Sequence, residues 1–199
     1  MIFIVSLIIF FLSVVIHEYC HGWTAYKLGD STAKHSGRLT LNPLAHIDPI
    51  GTVLLPLLLF VTRAPFMFGW AKPVPVNYWN LHNPKRDMIW VGLSGPLANI
   101  LIAALMSFII RSGISLTSAA FLVLNTAAVI NLVLAVFNLV PIPPLDGSRI
   151  ISGLLPEYLS LRYNRLEQFG FIIVIILMRP LFNLVVLPIV ELLARFLGI

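Results

Sequence analysis

The chain alternates long apolar runs with short polar ones, and several of the runs have the length of a bilayer crossing. Met1 to Ile16 carries no charge and passes without a helix breaker into polar residues that reach Tyr26, just short of Gly29. This pattern predicts one helix over residues 2 to 27. With a rise of about 1.5 Å per residue, His17 lies about 24 Å along it, inside the membrane but close to the side where the helix leaves. A second apolar run, Gly51 to Phe68, is interrupted by Pro56, Arg63 and Pro65 and is expected to enter the bilayer and turn back. Trp90 to Ile110 and Ala119 to Val140 predict two further spans. Phe169 to Leu197 is a last hydrophobic region, broken by Arg179-Pro180 and Pro188, which forms either one kinked helix or two short ones.

Between the apolar runs lie two stretches rich in Pro and Gly, His35 to Pro49 and Gly69 to Pro84. Alternation at Arg38-Leu39-Thr40-Leu41 and at Val74-Pro75-Val76 fits short membrane-associated β-strands better than helix. Such strands are expected at the mouth of a membrane cavity, where an exposed edge can take up an extended peptide as an added strand.

Composition agrees with the pattern. Of 199 residues, 59% are hydrophobic and 11% charged, against about 25% charged in soluble domains, and the mean hydropathy is +0.96. Too few polar residues remain to coat a globule in water, which excludes a soluble enzyme, a disordered chain or a coiled coil. The expected fold is an α-helical polytopic membrane protein of about four to six transmembrane segments, with short strands and a re-entrant segment. Residues 1–199 are read as a single domain, with no room for a separate soluble one. The N-terminus lacks the basic residues and small-residue cleavage site of a secretory signal and is expected to stay as a membrane helix.

The net charge is +5, but the thirteen Lys and Arg are scattered singly and make no basic face for nucleic acid. They orient the chain. Lys27, Lys34, Arg38, Lys72, Lys85, Arg86, Arg149, Arg162 and Arg165 share one side if the second run re-enters. The positive-inside rule makes that side cytoplasmic and puts the N-terminus outside. A multi-pass protein of the cell membrane follows, with the polar end of its first helix toward the cytoplasm. With Cys20 the single cysteine, no intramolecular disulfide can form.

The chemistry lies at that polar end. His17-Glu18-Tyr19-Cys20-His21 has the H-E-x-x-H pattern on a predicted helix. Histidines at i and i+4 share a face and can reach one zinc ion, and the glutamate between them is placed to act as general base on a water. Three ionisable groups within five residues at the end of an apolar span are costly and mark function, because His and Glu are too short to snorkel as Lys and Arg do. The bland alternative is a polar helix end whose histidines make interhelical hydrogen bonds. A catalytic zinc needs a third ligand. Glu157, Glu167 and Glu191 stand among basic or terminal residues, whereas Asp146 follows the proline-broken segment Pro141-Ile142-Pro143-Pro144-Leu145 and is delivered at membrane depth. Its competing role is to cap a helix starting near Ser148.

The His17 to His21 motif, Ser94-Gly95-Pro96-Leu97-Ala98-Asn99 and Pro144-Leu145-Asp146-Gly147 resemble, in that order, the signatures of the site-2 protease family of intramembrane zinc metalloproteases. Leu41 to Gly51 and Gly69 to Asn77 extend the likeness to its compact bacterial branch across nearly the whole chain. The departures are absences: no PDZ-like insertion, no nucleotide-sensing domain, and no helix before the metal motif. The resemblance implies cleavage of a transmembrane protein substrate within the bilayer. It implies one zinc per chain on His17, His21 and Asp146, with Glu18 as base and Asn99 holding the substrate backbone or oxyanion.

Asn99 also carries weight on physical grounds, since an amide among apolar residues must face the protein interior, where an ordinary interhelical hydrogen bond is its other role. His35, His46 and His82 lie in loop stretches and are not expected as ligands, and Cys20 points about 100° from His21 on the helical wheel, as a packing residue does. Gly92-Leu93-Ser94-Gly95 imitates the surroundings of the rhomboid nucleophile, but all five histidines precede Ser94, so the later base is missing. A membrane metal transporter, or a non-catalytic binder of membrane proteins, could use the same His, Glu and Asp cluster. No inverted repeat is visible to support transport, and binding alone has no need of a base. The sequence does not fix the oligomeric state.

Overall fold

The computed structural model describes residues 2–62 and 71–199. Arg63 and Pro65, with Gly69 and Trp70, lie outside the described residues. Helix α1 (Ile2–Lys27) is unbroken, as its lack of Gly and Pro before residue 22 allows, and at 26 residues it is about 39 Å long. After a short α2 (Thr32–His35) and a 3₁₀ turn at Pro43–His46, the second apolar run opens with a π-helical turn, Pro49–Leu54. The Asp48 carboxylate accepts the N–H groups of Ile50 and Gly51 at its start. The 7-residue α3 (Leu55–Val61) that follows is too short to cross a bilayer.

Three long elements complete the membrane part. Helix α4 (Pro84–Arg111) begins before its apolar stretch, with Pro84 in the first turn, and α5 (Ser118–Asn138) is capped by the Thr117 hydroxyl on the Ala120 N–H. Two shorter helices, α6 (Asp146–Leu154) and α7 (Glu157–Asn164), lead into α8 (Glu167–Leu181). A π-helical turn at Phe182–Val186 joins α8 to α9 (Leu187–Leu197), so the last hydrophobic region is one continuous helical run. The turn lies between Pro180 and Pro188, which cannot donate to the carbonyls of Ile176 and Leu184, and the ladder shifts register there instead of breaking. Among the described residues four helical runs are long and apolar enough to span: α1, α4, α5 and Glu167–Leu197.

The expected strands do not form; among the described residues there is no strand. The backbone groups that would have paired are already used or missing. Arg38 and Leu39 donate to the Ala33 carbonyl, and the Thr40 carbonyl accepts from His46 Nε2 at 2.9 Å. In the other stretch Pro73 and Pro75 have no N–H, and Val74 turns its own toward the Glu18 carboxylate at 2.8 Å.

Helix α4 is the hub, packing against α1, α5 and α6. Buried apolar side chains join the elements in three places: Ala103, Leu132, Val136, Val186 and Val190; Ala25, Leu81 and Val91; Val140, Leu145 and Val174. Phe3, Ile4 and Leu7 of α1, Leu101 and Phe108 of α4 and Ile172 and Ile176 of α8 point outward, whereas Ser13, His17, His21, Asn99 and Asn131 are buried. Apolar residues face outward and amides inward, the distribution a bilayer imposes.

The loop before α4 is latched to the exit end of α1 by Asp30. Its buried carboxylate accepts the Thr32 N–H and hydroxyl, the Asn77 N–H at 2.7 Å and Asn80 Nδ2 at 3.1 Å. The His82 N–H reaches the Leu28 carbonyl at 2.9 Å beside it. Burial pushes the Asp30 carboxyl up, but these hydrogen bonds to its ionised form outweigh burial and hold it below the ordinary range. A folded value below the unfolded one gives stability that is fully present above about pH 4 and is lost as pH falls through the folded value. Asp30→Ala is expected to cost about 1–3 kcal/mol near neutral pH by leaving several donors unpaired. Thermal unfolding in detergent should show the gap to wild type closing below about pH 4, and a gap independent of pH would remove the latch from the account.

Candidate metal centre

Residues four apart on α1 share a face, and His17 and His21 use it: their ring centroids are 4.6 Å apart, the planes nearly perpendicular. Their Nε2 atoms are 3.0 Å apart. Asp146 Oδ2 completes a triangle, 3.0 Å from His17 Nε2 and 3.2 Å from His21 Nε2. Among the described residues this is the one trio of His, Cys, Asp or Glu whose ligand atoms could share an ion. Cys20, one residue from His21 but on another face, stays out of it.

Asp146 arrives by a tight reversal at the end of α5. Ile142 donates to the Val140 carbonyl and Leu145 to the Ile142 carbonyl, so the proline-rich segment turns the chain within a few residues. A Cβ at Gly147 would overlap the Leu139 carbonyl, so only glycine lets α6 start this close to α5. Asp146 opens α6 but caps nothing: Leu145 holds the N-cap position and no side chain bonds there. Its carboxylate goes to the histidines.

The far nitrogens of both imidazoles are committed to acceptors. His21 Nδ1–H donates to the Val91 carbonyl at 2.7 Å and His17 Nδ1–H to Asn99 Oδ1 at 2.6 Å. With the proton on Nδ1, each Nε2 presents a bare lone pair, and both lone pairs face a carboxylate oxygen. Three potential ligand atoms within 3.2 Å of one another could hold a divalent cation, and the second hydrogen bond on each ring is the usual support for a ligating histidine. Gly95 leaves the space: a Cβ there would lie 2.5 Å from His21 Nε2 and 2.6 Å from His17 Nε2. Two histidines and one carboxylate are a donor set that suits a catalytic zinc.

Glu18 lies beside the trio, half-buried, with Oε2 accepting the Val74 N–H at 2.8 Å. Among the described residues nothing bonds Oε1. Of the two roles expected for Asn99, the structure contains the interhelical bond. The residue is fully buried, its Oδ1 on His17 and its Nδ2 donating to Asn131 Oδ1 at 2.7 Å. Ser94 donates to the Val91 carbonyl at 2.7 Å, which occupies the proton a nucleophile would have to give up. His35 at the end of α2 bonds Ser31 and His46 in the 3₁₀ turn bonds the Thr40 carbonyl, Glu167 pairs with Arg149, and Glu191 faces Arg195.

Sequence reasoning missed Asn131, Ser13, the Val74 N–H and the Val91 carbonyl. Asn131 carried a signal, being an amide within an apolar helix like Asn99; the backbone groups carried none. Arg149, three residues after Asp146, was read only as a topology charge. It joins the Glu167 carboxylate at the start of α8 and lies 5.4 Å over the Tyr78 ring, tying α6, α8 and the loop before α4.

YwhC of Bacillus subtilis (strain 168) is 39% identical over 88% of this chain and 81% of its own length. A family model, Peptidase family M50, matches residues 109–181. The chain belongs to peptidase family M50, the site-2 proteases. Rip2 of Mycolicibacterium smegmatis is 30% identical over 89% of the chain and 67% of its own, and MJ0392 of Methanocaldococcus jannaschii 25% over 77% and 35%. All three relatives bear zinc-metalloprotease names. No solved structure matches the chain. As an M50 member with four helical runs among the described residues long and apolar enough to cross a bilayer, the protein is a membrane zinc metalloprotease, and zinc is its cofactor.

Gly95→Ala tests the cradle in this M50 chain. The added methyl cannot coexist with both Nε2 atoms in place, so zinc affinity, read by competition with a chelator of known strength, is expected to fall by about 100-fold or more, beyond the 10–100-fold usual for changes around a ligand. Unchanged affinity would place zinc elsewhere.

Proposed function

We propose that this zinc metalloprotease hydrolyses a peptide bond within or next to a transmembrane helix of a membrane-protein substrate. One zinc per chain is held by His17, His21 and Asp146, and Glu18 is the general base. The observation that carries the reading is the meeting of three potential ligand atoms on and beside a helix long and apolar enough to span, with a carboxylate one residue away. Zinc, when bound, supplies the Lewis acid that makes water nucleophilic near neutral pH and polarises a carbonyl.

The rest is done by the chain. The Val74 N–H fixes Oε2 of Glu18, which leaves Oε1 to take the proton from the attacking water and pass it to the leaving amine. Residues 1–199 act as one domain, because the site draws on α1, α4 and the α5–α6 turn at once. The nine basic residues on the side of Lys27 set the site toward the cytoplasm of a multi-pass cell-membrane protein. The scissile carbonyl of a helical substrate is hydrogen-bonded inside its own turn, so that turn has to open before chemistry.

Glu18→Gln is expected to keep one zinc per chain and lose about 10²–10⁴-fold in cleavage of a model transmembrane substrate in proteoliposomes. Asp146→Ala should lose the metal and Glu157→Ala should keep it, as read by elemental analysis. Undiminished turnover by Glu18→Gln would overturn Glu18 as the base, whereas a zinc-loaded wild type that cleaves no such substrate would favour a transporter or binding protein.

A second measurement concerns the substrate. In a series carrying Leu, Ala, Gly or Pro near the scissile bond, rates are expected to rise with helix weakness, because Gly and Pro lower the cost of opening a turn by about 1 and 3 kcal/mol relative to Ala. Equal rates across the series would show that unwinding does not limit the reaction.

A further inference from the structure

Behind His17 lies a chain of buried polar groups that crosses three helices. Ser13 on α1, Asn99 on α4 and Asn131 on α5 are 4%, 0% and 1% exposed. Asn131 Nδ2 donates to the Ala127 carbonyl of its own helix at 2.9 Å and to Ser13 Oγ at 2.9 Å. Asn131 Oδ1 accepts from Asn99 Nδ2 at 2.7 Å, and Asn99 Oδ1 accepts from His17 Nδ1 at 2.6 Å.

The direction of this chain is fixed at its far end. A backbone carbonyl can only accept, so the amide of Asn131 must turn its NH₂ to Ala127 and its oxygen to Asn99. That oxygen can only accept, so Asn99 must present its own NH₂ there and its oxygen to His17. The oxygen of Asn99 again only accepts, which requires a proton on Nδ1, so the neutral imidazole has its Nε2 bare. Reversing any one amide would set two acceptors or two donors against each other in a bilayer, where no water can mediate.

We infer that Asn131 and Asn99 are positioning residues that set the tautomer of His17, with the Ala127 carbonyl as the fixed end of the relay. Both amides are buried and bonded to protein partners, so the role assigned to them here acts through His17. Ser13 adds a second acceptor for Asn131 but does not decide the direction. This inference rests on the reading of His17 as a zinc ligand.

Zinc affinity of the full-length protein in detergent, measured by chelator competition, tests it. Asn99→Leu is expected to bind zinc about 10–100-fold more weakly. Asn131→Leu should weaken binding in the same direction by a smaller factor, and Ser13→Ala should stay within about twofold of wild type, since one anchor of the relay remains. The double variant Asn99→Leu/Asn131→Leu should bind no more weakly than Asn99→Leu alone, because the two act in series. Independent, multiplying losses would overturn the relay.

A second readout needs no variant of the relay to fold. In the zinc-free protein with ¹⁵N-labelled histidine, at alkaline pH, His17 should carry its proton on Nδ1, its signals assigned by their absence from His17→Gln. A proton on Nε2 would overturn the inference. His17→Gln also separates the two readings. If it retains zinc at wild-type affinity, the ligand assignment fails. If it loses zinc while Asn99→Leu and Asn131→Leu retain it, the relay alone fails.

Discussion

A polar atom without a partner is far more costly in a bilayer than at a water interface, and that constraint governs everything around the metal centre. Two imidazoles and a carboxylate are needed to hold a cation, yet only one nitrogen of each ring can serve. The other must be matched. His21 spends it on a main-chain carbonyl of α4 and His17 on an amide of the same helix. The hub position of α4 follows, since it supplies the acceptor for Nδ1 of both rings while Gly95 leaves room beside their Nε2 atoms. A residue larger than glycine at that point would occupy the space the lone pairs share.

The non-helical parts around the site gather at the exit end of α1 for a related reason. Irregular backbone has to find its hydrogen bonds outside a ladder, and the exit end of α1 offers them: Asp30 to the loop before α4, Leu28 to His82, Glu18 to Val74. Asp146 is turned toward the histidines by the proline-rich segment between α5 and α6. Arg149 links that turn back to the loop through the Tyr78 ring, and burial pushes the Tyr78 phenol up to about 12, so the ring stays neutral beneath the guanidinium. The helices set depth, and these few side chains and turns set distance.

Much of this was legible in the sequence, and the exceptions have physical causes. The limits of α1 could be read because no breaker interrupts it, and Asp146 stood out because prolines free a short segment at the end of a span. The start of α4 was read late, since Pro84 to Asp87 are polar and hydropathy alone cannot see a helix that begins outside the apolar zone. Alternation at Arg38 to Leu41 suggested a strand, but side-chain pattern does not report that Ala33 has already taken the backbone donors. Asn99 was recognisable as an inward-facing amide. That its oxygen meets His17, and that Asn131 fixes which way it turns, depends on the packing of three helices distant in sequence.

The proline pair at 73 and 75 shows how one local feature defeated one expectation and produced another arrangement. Each ring removes a donor, so the segment cannot act as a strand edge on that side. The same rings fix φ near about −65° at both neighbours of Val74, which limits the directions its N–H can take. With Asp30 holding the loop through Asn77 and Val74 packed over Gly22, that N–H points at Glu18. A carboxylate held by one oxygen is better defined than one free to rotate. The segment therefore contributes as a single well-aimed backbone donor, not as a pairing surface, and its rigidity comes from residues that no regular secondary structure would accept.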